Sequence, residues 1–288
     1  MITPRPTVRS SRAAPLPVRV LATALTTGAL LLTAACSDGG GGSAAESETA
    51  STPATQTTTS PTTTTPSVSP TRDLTEAGAR NALITEADIE DYWDQVDSPQ
   101  KWRDSLLIGD VDAAAFLNGK SEAADCQRLI DSLYDETLLG RPSGASALIG
   151  FEEGDSRLLY QVAAYQKDDL DDAMKWLKSL PETCDQFTLT GGDSGKRTVQ
   201  VVEASLPEEG DARQGLTVTV KGTNSGDPVT LTLDVAAVRI GTDAITVTNG
   251  GLDGANHDTT EAAVGQGTPR LEEVLAGRTP QSTPTGVE

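Results

Sequence analysis

Few residues of this chain could do acid–base or thiol chemistry. It has one histidine, His257, and three cysteines among its 288 residues. A Ser/His/Asp triad would need that histidine, but the G-x-S-x-G nucleophile motif is absent. The polar segment 256–260 that contains His257 predicts an exposed loop near the start of the last helix. We therefore expect no catalytic residue and no enzyme activity.

The patterns that bind metals or phosphates are missing as well. The chain has no CxxC pair and a single histidine, so neither a zinc site nor another cofactor is predicted. The acidic segment 168–172 lacks EF-hand spacing, and the glycine-rich segment 191–196 lacks P-loop spacing. Paired acids could serve a glycosidase, although in so acidic a chain each pair is more typical of a solvated face. The pairs are Asp110/Asp112, Glu152/Glu153 and Asp168/Asp169.

Three tryptophans are the remaining candidates for ligand contacts. Aromatic side chains anchor ligands in clefts, and they also pack in cores, which is their commoner use. Both alternatives stay open for Trp93, Trp102 and Trp176.

The charge of the chain limits its partners. The 42 acidic and 22 basic residues give a net charge of −20, which excludes a nucleic-acid partner because no basic surface could persist in such a field. The charge is also unevenly distributed. Residues 1–35 contain four of the arginines and no acid, so the remainder is still more acidic than the whole.

The first 35 residues form a predicted lipoprotein signal peptide. The arginines precede an apolar run, Val20–Leu32, that is shorter than the roughly 20 residues of a transmembrane helix. The sequence Leu-Thr-Ala-Ala-Cys that ends at Cys36 resembles the lipobox of bacterial lipoproteins. That resemblance implies a diacylglyceryl group on Cys36, cleavage before it, and a protein anchored on the outer face of the cell membrane. The alternative is an ordinary secretory signal followed by a chance cysteine.

The rest of the chain divides by composition into a tether, a domain and a tail. Residues 36–72 are rich in Ser, Thr, Pro and Gly without apolar periodicity, which predicts a disordered spacer. Residues 73–277 have the length of one domain and contain no Pro- or Gly-rich break. Residues 278–288 are predicted to be a flexible tail.

Two cysteines, Cys126 and Cys184, lie in the predicted domain. In an exported protein an even number of remaining cysteines favours a disulfide. Two buried free thiols are the alternative.

Hydrophobic periodicity predicts an α+β domain with a mainly antiparallel, twisted sheet covered by helices. Helical signals occur at 85–93, 121–137 and 168–180, and a short helix opens at Thr268-Pro269. Strands are expected at 145–151, 157–165, 186–190, 198–206, 216–221, 229–240 and 244–248. The apolar parity shifts within 229–240, which predicts a β-bulge near Ala236–Ala237.

These elements resemble a known class of extracellular domain. The similarity lies in the segment Leu83–Ile89, the helix around Cys126, the predicted hairpin of strands 145–151 and 157–165, the helix before Cys184 and the late segment GTDAITVTNGG. These elements are similar to the PknH-type sensor domain, which is related to the Mog1/PsbP-like fold. That domain occurs on bacterial Ser/Thr kinases and on free-standing lipoproteins. The resemblance implies a cleft that senses a ligand or binds a partner. Family members often have a second disulfide, for which this chain has no cysteines.

Three classes of function remain for the domain. We expect first a module that binds an unknown small ligand, for which an apolar cleft with few polar groups would be evidence. The second is an interaction protein that docks on a membrane or cell-wall enzyme through a flat apolar patch. The third is an envelope hydrolase, which would require converging acids, or His257 beside a serine and an acid in a pocket.

Replacement of Cys36 by Ala should release the protein from the membrane or leave its signal peptide uncleaved, because the lipobox-like sequence then has no thiol to carry the lipid. Mass spectrometry of the mature protein checks this, with lipidated Cys36 as the expected first residue. A mature form that begins elsewhere and has no lipid would contradict the prediction.

Overall fold

The computed structural model describes residues 73–89, 92–192 and 194–281. The predicted signal peptide, Cys36 and the tether therefore lie outside the described residues, as do residues 282–288. Within the described ranges, no helix is both long enough and apolar enough to cross a membrane.

The centre of the domain is an antiparallel sheet of eight strands. In their order across the sheet these are β1 (Asp94–Val96), β4 (Ser146–Glu153), β5 (Ser156–Ala164), β10 (Asp243–Gly251), β9 (Asp227–Ile240), β8 (Ala212–Asn224), β7 (Arg197–Ala204) and β6 (Gln186–Leu189). A two-stranded ribbon is formed by β2 (Leu107–Ile108) and β3 (Val111–Asp112). The helices are α1 (Glu76–Asn81), α2 (Ala113–Leu117), α3 (Ala124–Ser132), α4 (Lys167–Thr183) and α5 (His257–Leu275). This is the α+β class that the sequence predicts.

Both faces of the sheet are covered at its centre. In β9, Leu233 and Val235 belong to an apolar cluster that includes α3 and α4, whereas Ala236 and Val238 belong to a second cluster that includes α1 and α5. Alternate residues of one strand point to opposite faces, so the two helical layers lie on opposite sides of the sheet. β10 is buried along its whole length.

The α5 side of the sheet is open beyond β9. Helix α5 lies on β9 and β10, and the strands beyond them direct mostly polar, partly exposed side chains to that side. These include Thr188, Thr198, Gln200, Thr217, Thr219 and Thr232. The border between the covered and the open part of this face therefore runs along β9.

The predicted β-bulge was wrong. β9 pairs without interruption with β8 and with β10 through Ala236 and Ala237. The apolar parity changes because both faces of the sheet become buried there, and both alanines are fully buried.

The helices at 121–137, 168–180 and 85–93 differ from their predicted bounds. α3 ends at Ser132, and Tyr134 has a positive φ of 54°, which a helix cannot accommodate. α4 continues through Pro181, which lies in its last turn. At 85–93, the described residues form only a 3-10 turn, Glu86–Asp88.

The last helix is much longer than predicted. α5 begins at His257 rather than at Thr268, and Pro269 lies inside it. Gly267 lies within the helix and faces Tyr160. A Cβ on Gly267 would lie 2.1 Å from the hydroxyl oxygen of Tyr160. The glycine permits close packing of α5 on the sheet.

The three tryptophans are buried, with exposed fractions of 2% for Trp93, 9% for Trp102 and 8% for Trp176. The Arg128 guanidinium lies 3.8 Å from the Trp176 ring centroid, and Trp102 packs edge-on against Tyr134. Core packing is therefore their main role.

A disulfide joins Cys126 of α3 to Cys184, which directly follows α4. The two residues are 58 positions apart in sequence, and each is 1% exposed. The bond therefore ties α3 to α4 within the apolar layer on one face of the sheet.

A Cys126→Ala/Cys184→Ala double variant should unfold roughly 10 °C below the wild type, because closing a loop of this length contributes about 4 kcal/mol. Calorimetry of both proteins, with the wild type also measured after reduction, checks the expectation. Thiol labelling of both cysteines in the native, unreduced protein would contradict it.

Candidate functional site

Three polar residues from separate parts of the chain meet at the N-terminus of α5. His257 is the first residue of α5, Asp234 lies in β9, and Ser205 directly follows β7. The Nδ1 atom of His257 is 2.7 Å from Asp234 Oδ2, and its Nε2 atom is 3.3 Å from Ser205 Oγ. The imidazole therefore links a carboxylate to a hydroxyl in the order of a Ser/His/Asp triad.

Asp234 is held in place on both sides. Its side chain is only 4% exposed. Thr217, directly opposite it in β8, donates its hydroxyl to Asp234 Oδ1 at 2.7 Å. With Thr217 on one oxygen and His257 on the other, the buried carboxylate has the hydrogen bonds that its burial requires.

Asn249 determines where α5 begins over the sheet. It lies opposite Asp234 in β10 and is fully buried. Its Nδ2 atom donates to the Asn256 carbonyl at 2.8 Å and to Thr260 Oγ1 at 3.0 Å. These two hydrogen bonds hold the first turn of α5 against β10 and so fix the position of His257.

The acidic surroundings of His257 raise its pKa above the usual value. The main cause is the hydrogen bond with Asp234; partial burial opposes the increase, and the charges of Asp234, Glu261 and Asp258 add to it. Glu261 Oε1 lies 3.5 Å from Nε2, so it competes with Ser205 for a charged ring. In the neutral ring, with Nδ1–H donated to Asp234, Nε2 accepts the hydroxyl hydrogen of Ser205.

A cavity of about 600 Å³ adjoins Ser205. One wall is α4, and the other is formed by the ends of β7 and β8 with the segment after β7. Its lining includes Met174, Lys175, Lys178, Ser205, Leu206 and Arg213. Two acids, Asp171 and Glu203, also line it, so apolar, cationic and acidic side chains share the same cavity.

Gly215 brings the two strand ends beside this cavity together. It faces Ala204 at the last pair of β7 and β8, and a Cβ there would lie 2.5 Å from the Ala204 carbonyl oxygen. A glycine is required for this close approach. This close approach positions Ala204 and, with it, the next residue, Ser205.

Most charged groups around the cavity are paired. Lys175 lies 3.0 Å from Asp172, and Arg213 lies 3.1 Å from Glu208. Lys178 has no ion-pair partner among the described residues. Its ammonium group is the cation most available to a ligand.

A second cavity, of about 360 Å³, lies beside α2 and the end of α3. Its lining includes Trp102, Tyr134 and three acids, Asp104, Asp131 and Asp135. Its acidic character makes it less suited to an apolar or anionic ligand.

Large hydrophobic side chains are exposed singly. In the described ranges these are Tyr92, Leu107 and Val202, which lie on three separate segments. This distribution does not favour docking through a flat apolar patch.

The predicted placement of His257 in an exposed loop was wrong, because its side chain is only 36% exposed and both ring nitrogens have partners. Ser205 and Asp234 were missed by the sequence analysis. The signal for Asp234 was an acid on the polar face of a strand just before both faces become apolar.

Three of the paired acids, Asp112, Asp168 and Asp169, occupy structural positions. Asp112 caps α2 by accepting from the backbone N–H groups of Ala114 and Ala115, and Asp168 and Asp169 lie in the first turn of α4. No group of three His, Cys, Asp or Glu residues in the described ranges could hold a metal ion.

Fold and site together define an α+β domain with a serine, a histidine and an aspartate at the border of its sheet. No family model and no curated protein matches the chain. Among solved structures, it is similar to the crystal structure of the extracellular domain of PknH from Mycobacterium tuberculosis, with a TM-score of 0.43 and 11% identity. The likeness covers 70% of this chain and 98% of that one.

The His257–Asp234 hydrogen bond should make the stability of the domain depend on pH. A histidine whose pKa is raised by folding stabilises the fold fully below its unfolded pKa of about 6.5, and this contribution is lost as the pH rises through the higher folded pKa. The melting temperature of the wild type should therefore exceed that of His257→Gln by more at about pH 5.5 than at about pH 9. Thermal unfolding at both pH values checks this, and an equal difference at both would contradict it.

Proposed function

We propose that this protein is a lipid-anchored envelope protein whose domain binds a small ligand in the cavity between α4 and the ends of β7 and β8. The observation that carries the proposal is the cavity itself. Its volume of about 600 Å³ falls within the roughly 300–1,000 Å³ of small-molecule sites. Binding alone suffices for this role, and no reaction is required of it.

The cavity wall indicates the chemistry of the ligand. Met174 and Leu206 offer apolar surface, and Lys178 offers an ammonium group without an ion-pair partner in the described part of the chain. Apolar contact and a few placed polar groups are the usual means by which such sites gain affinity and orientation. We therefore infer a ligand with an apolar body and one acidic group.

The charge of the whole protein also bears on where a ligand with an acidic group can bind. With a net charge of −20, most of the surface repels anions. Lys175, Lys178 and Arg213 bring three cations to one cavity, which also has two carboxylates, Asp171 and Glu203. The cavity is therefore less repulsive to an anionic ligand than the rest of the surface, and Lys178 is its unpaired cation among the described residues.

The location that we propose is the outer face of the cell membrane. The signal peptide and the lipobox-like sequence ending at Cys36 support it. The Cys126–Cys184 disulfide also supports export, because disulfides persist in oxidising compartments. A domain held there by a spacer is suited to sensing a ligand outside the cell.

Anilinonaphthalene sulfonate, a fluorescent probe with an aromatic body and one acidic group, tests the cavity. The full-length wild type should bind it at one saturable site. Lys178→Glu should weaken that binding by about tenfold, because an attractive charge is replaced by a repulsive one. Fluorescence titration gives the dissociation constants.

Lys221→Glu provides the matched control, because it makes the same charge change in β8 at an exposed position six residues from Gly215, about 20 Å along the strand. It should leave binding unchanged. Absence of saturable binding, or equal weakening by both substitutions, would refute the proposed site.

A further inference from the structure

We propose that Ser205 is a nucleophile that takes the acyl group of a small carboxylic ester held in the adjoining cavity. The inference goes beyond ligand binding and rests on the contacts of Ser205, His257 and Asp234. The three residues come from three separate parts of the chain, and the fold aligns them as a nucleophile, a base and a carboxylate.

The base is within reach of the nucleophile. The Nε2 atom of His257 lies 3.3 Å from Ser205 Oγ, and such hydrogen bonds are often long before a substrate binds. The other ring nitrogen lies 2.7 Å from Asp234 Oδ2. This contact favours the tautomer with its hydrogen on Nδ1, so that Nε2 is free to accept a proton.

Asp234 is a positioning residue. Its buried side chain is held by Thr217 on one oxygen, so the other oxygen is aimed at His257 Nδ1. A carboxylate at this place orients the imidazole and stabilises the imidazolium that forms when the base takes a proton.

Ser205 is accessible to a substrate. It is exposed and lines the cavity together with Leu206. The backbone N–H of Leu206, the residue after the nucleophile, makes no backbone hydrogen bond within the described ranges. In many serine hydrolases the N–H at this position stabilises the oxyanion.

The reaction is balanced with water as the only further reactant. Ser205 Oγ forms a bond to the ester carbonyl carbon while its proton passes to His257 Nε2. The bond from that carbon to the alkoxy oxygen breaks, and the leaving alcohol takes the proton from His257. Water, deprotonated by the same imidazole, then hydrolyses the acyl-serine, which releases the acid and restores the Ser205 hydroxyl.

The groups around His257 set the pH at which it can act. Asp234 of β9 and the acids Asp258 and Glu261 of α5 all favour the charged ring, and Ser205 is the neutral neighbour from the end of β7. Only the neutral ring is a base. The rate of acylation should therefore rise with pH through a midpoint above about 6.5.

A fluorophosphonate probe and p-nitrophenyl acetate test the proposal on the full-length protein. The probe should modify Ser205, identified by peptide mass spectrometry, and the ester should give a burst of p-nitrophenol. Ser205→Ala should abolish both signals. His257→Gln should slow both by at least about 100-fold, as expected for loss of a general base.

Ser105→Ala is the matched control, because Ser105 is also an exposed serine, but its hydroxyl donates to the Asp112 carboxylate at 3.2 Å and not to a histidine. It should react like the wild type. If His257→Gln does not fold, the pH profile of the wild type decides, because a structural serine would show no such midpoint.

Lack of labelling at Ser205, or labelling of Ser205 at the wild-type rate in a folded His257→Gln variant, would overturn the proposal. Binding of anilinonaphthalene sulfonate by Ser205→Ala separates the two proposals. If Ser205→Ala still binds anilinonaphthalene sulfonate but is no longer acylated, Ser205 is supported as the nucleophile. If the wild type is acylated but does not bind anilinonaphthalene sulfonate saturably, only the proposed ligand chemistry is refuted.

Discussion

The buried carboxylate of Asp234 is the constraint to which the α5 side of the sheet is adjusted. A charge removed from water has to be hydrogen-bonded or paired, or the fold loses several kcal/mol. Its partners come from two elements, Thr217 of β8 and His257 of α5. A shift of α5 by one strand would leave the carboxylate without the imidazole. The N-terminus of α5, the edge of the covered part of the sheet and the Ser/His/Asp alignment therefore lie at the same place.

The two helical layers are fixed to the sheet by different interactions. On one face, α4 presents leucines to the core and is tied to α3 by the disulfide. On the other face, the buried surface of α5 includes small or polar side chains such as Thr259, Thr260 and Gly267. Such a helix can approach the sheet closely but buries less apolar area. Hydrogen bonds from Asn249 therefore contribute more to its placement.

The sequence predicts the seven strands β4–β10 well, but it misses the short strands β1, β2 and β3 and predicts the site poorly, for a physical reason. Alternation in segments such as 216–221 records one wet face, and that information is local. Where both faces are buried, as at Ala236, alternation disappears, which is why a bulge was wrongly predicted. The alignment of Ser205, Asp234 and His257 depends on strand order and on where α5 begins. Neither is encoded in a local pattern, and the buried side chains of the first turn of α5, Thr259 and Thr260, give no apolar stripe.

Among the described residues β10 is the last strand in sequence, yet it occupies the middle of the sheet. It alone joins the group β1, β4 and β5 to the group β9, β8, β7 and β6. Whenever the chain is delivered from its N-terminus, by the ribosome or through a membrane, both groups keep an unpaired edge until residues 243–251 emerge. The unpaired N–H and C=O groups of such an edge can pair with the wrong strand or with another chain, which leads to aggregation. During such delivery the eight-stranded sheet can therefore close only after β10 has emerged.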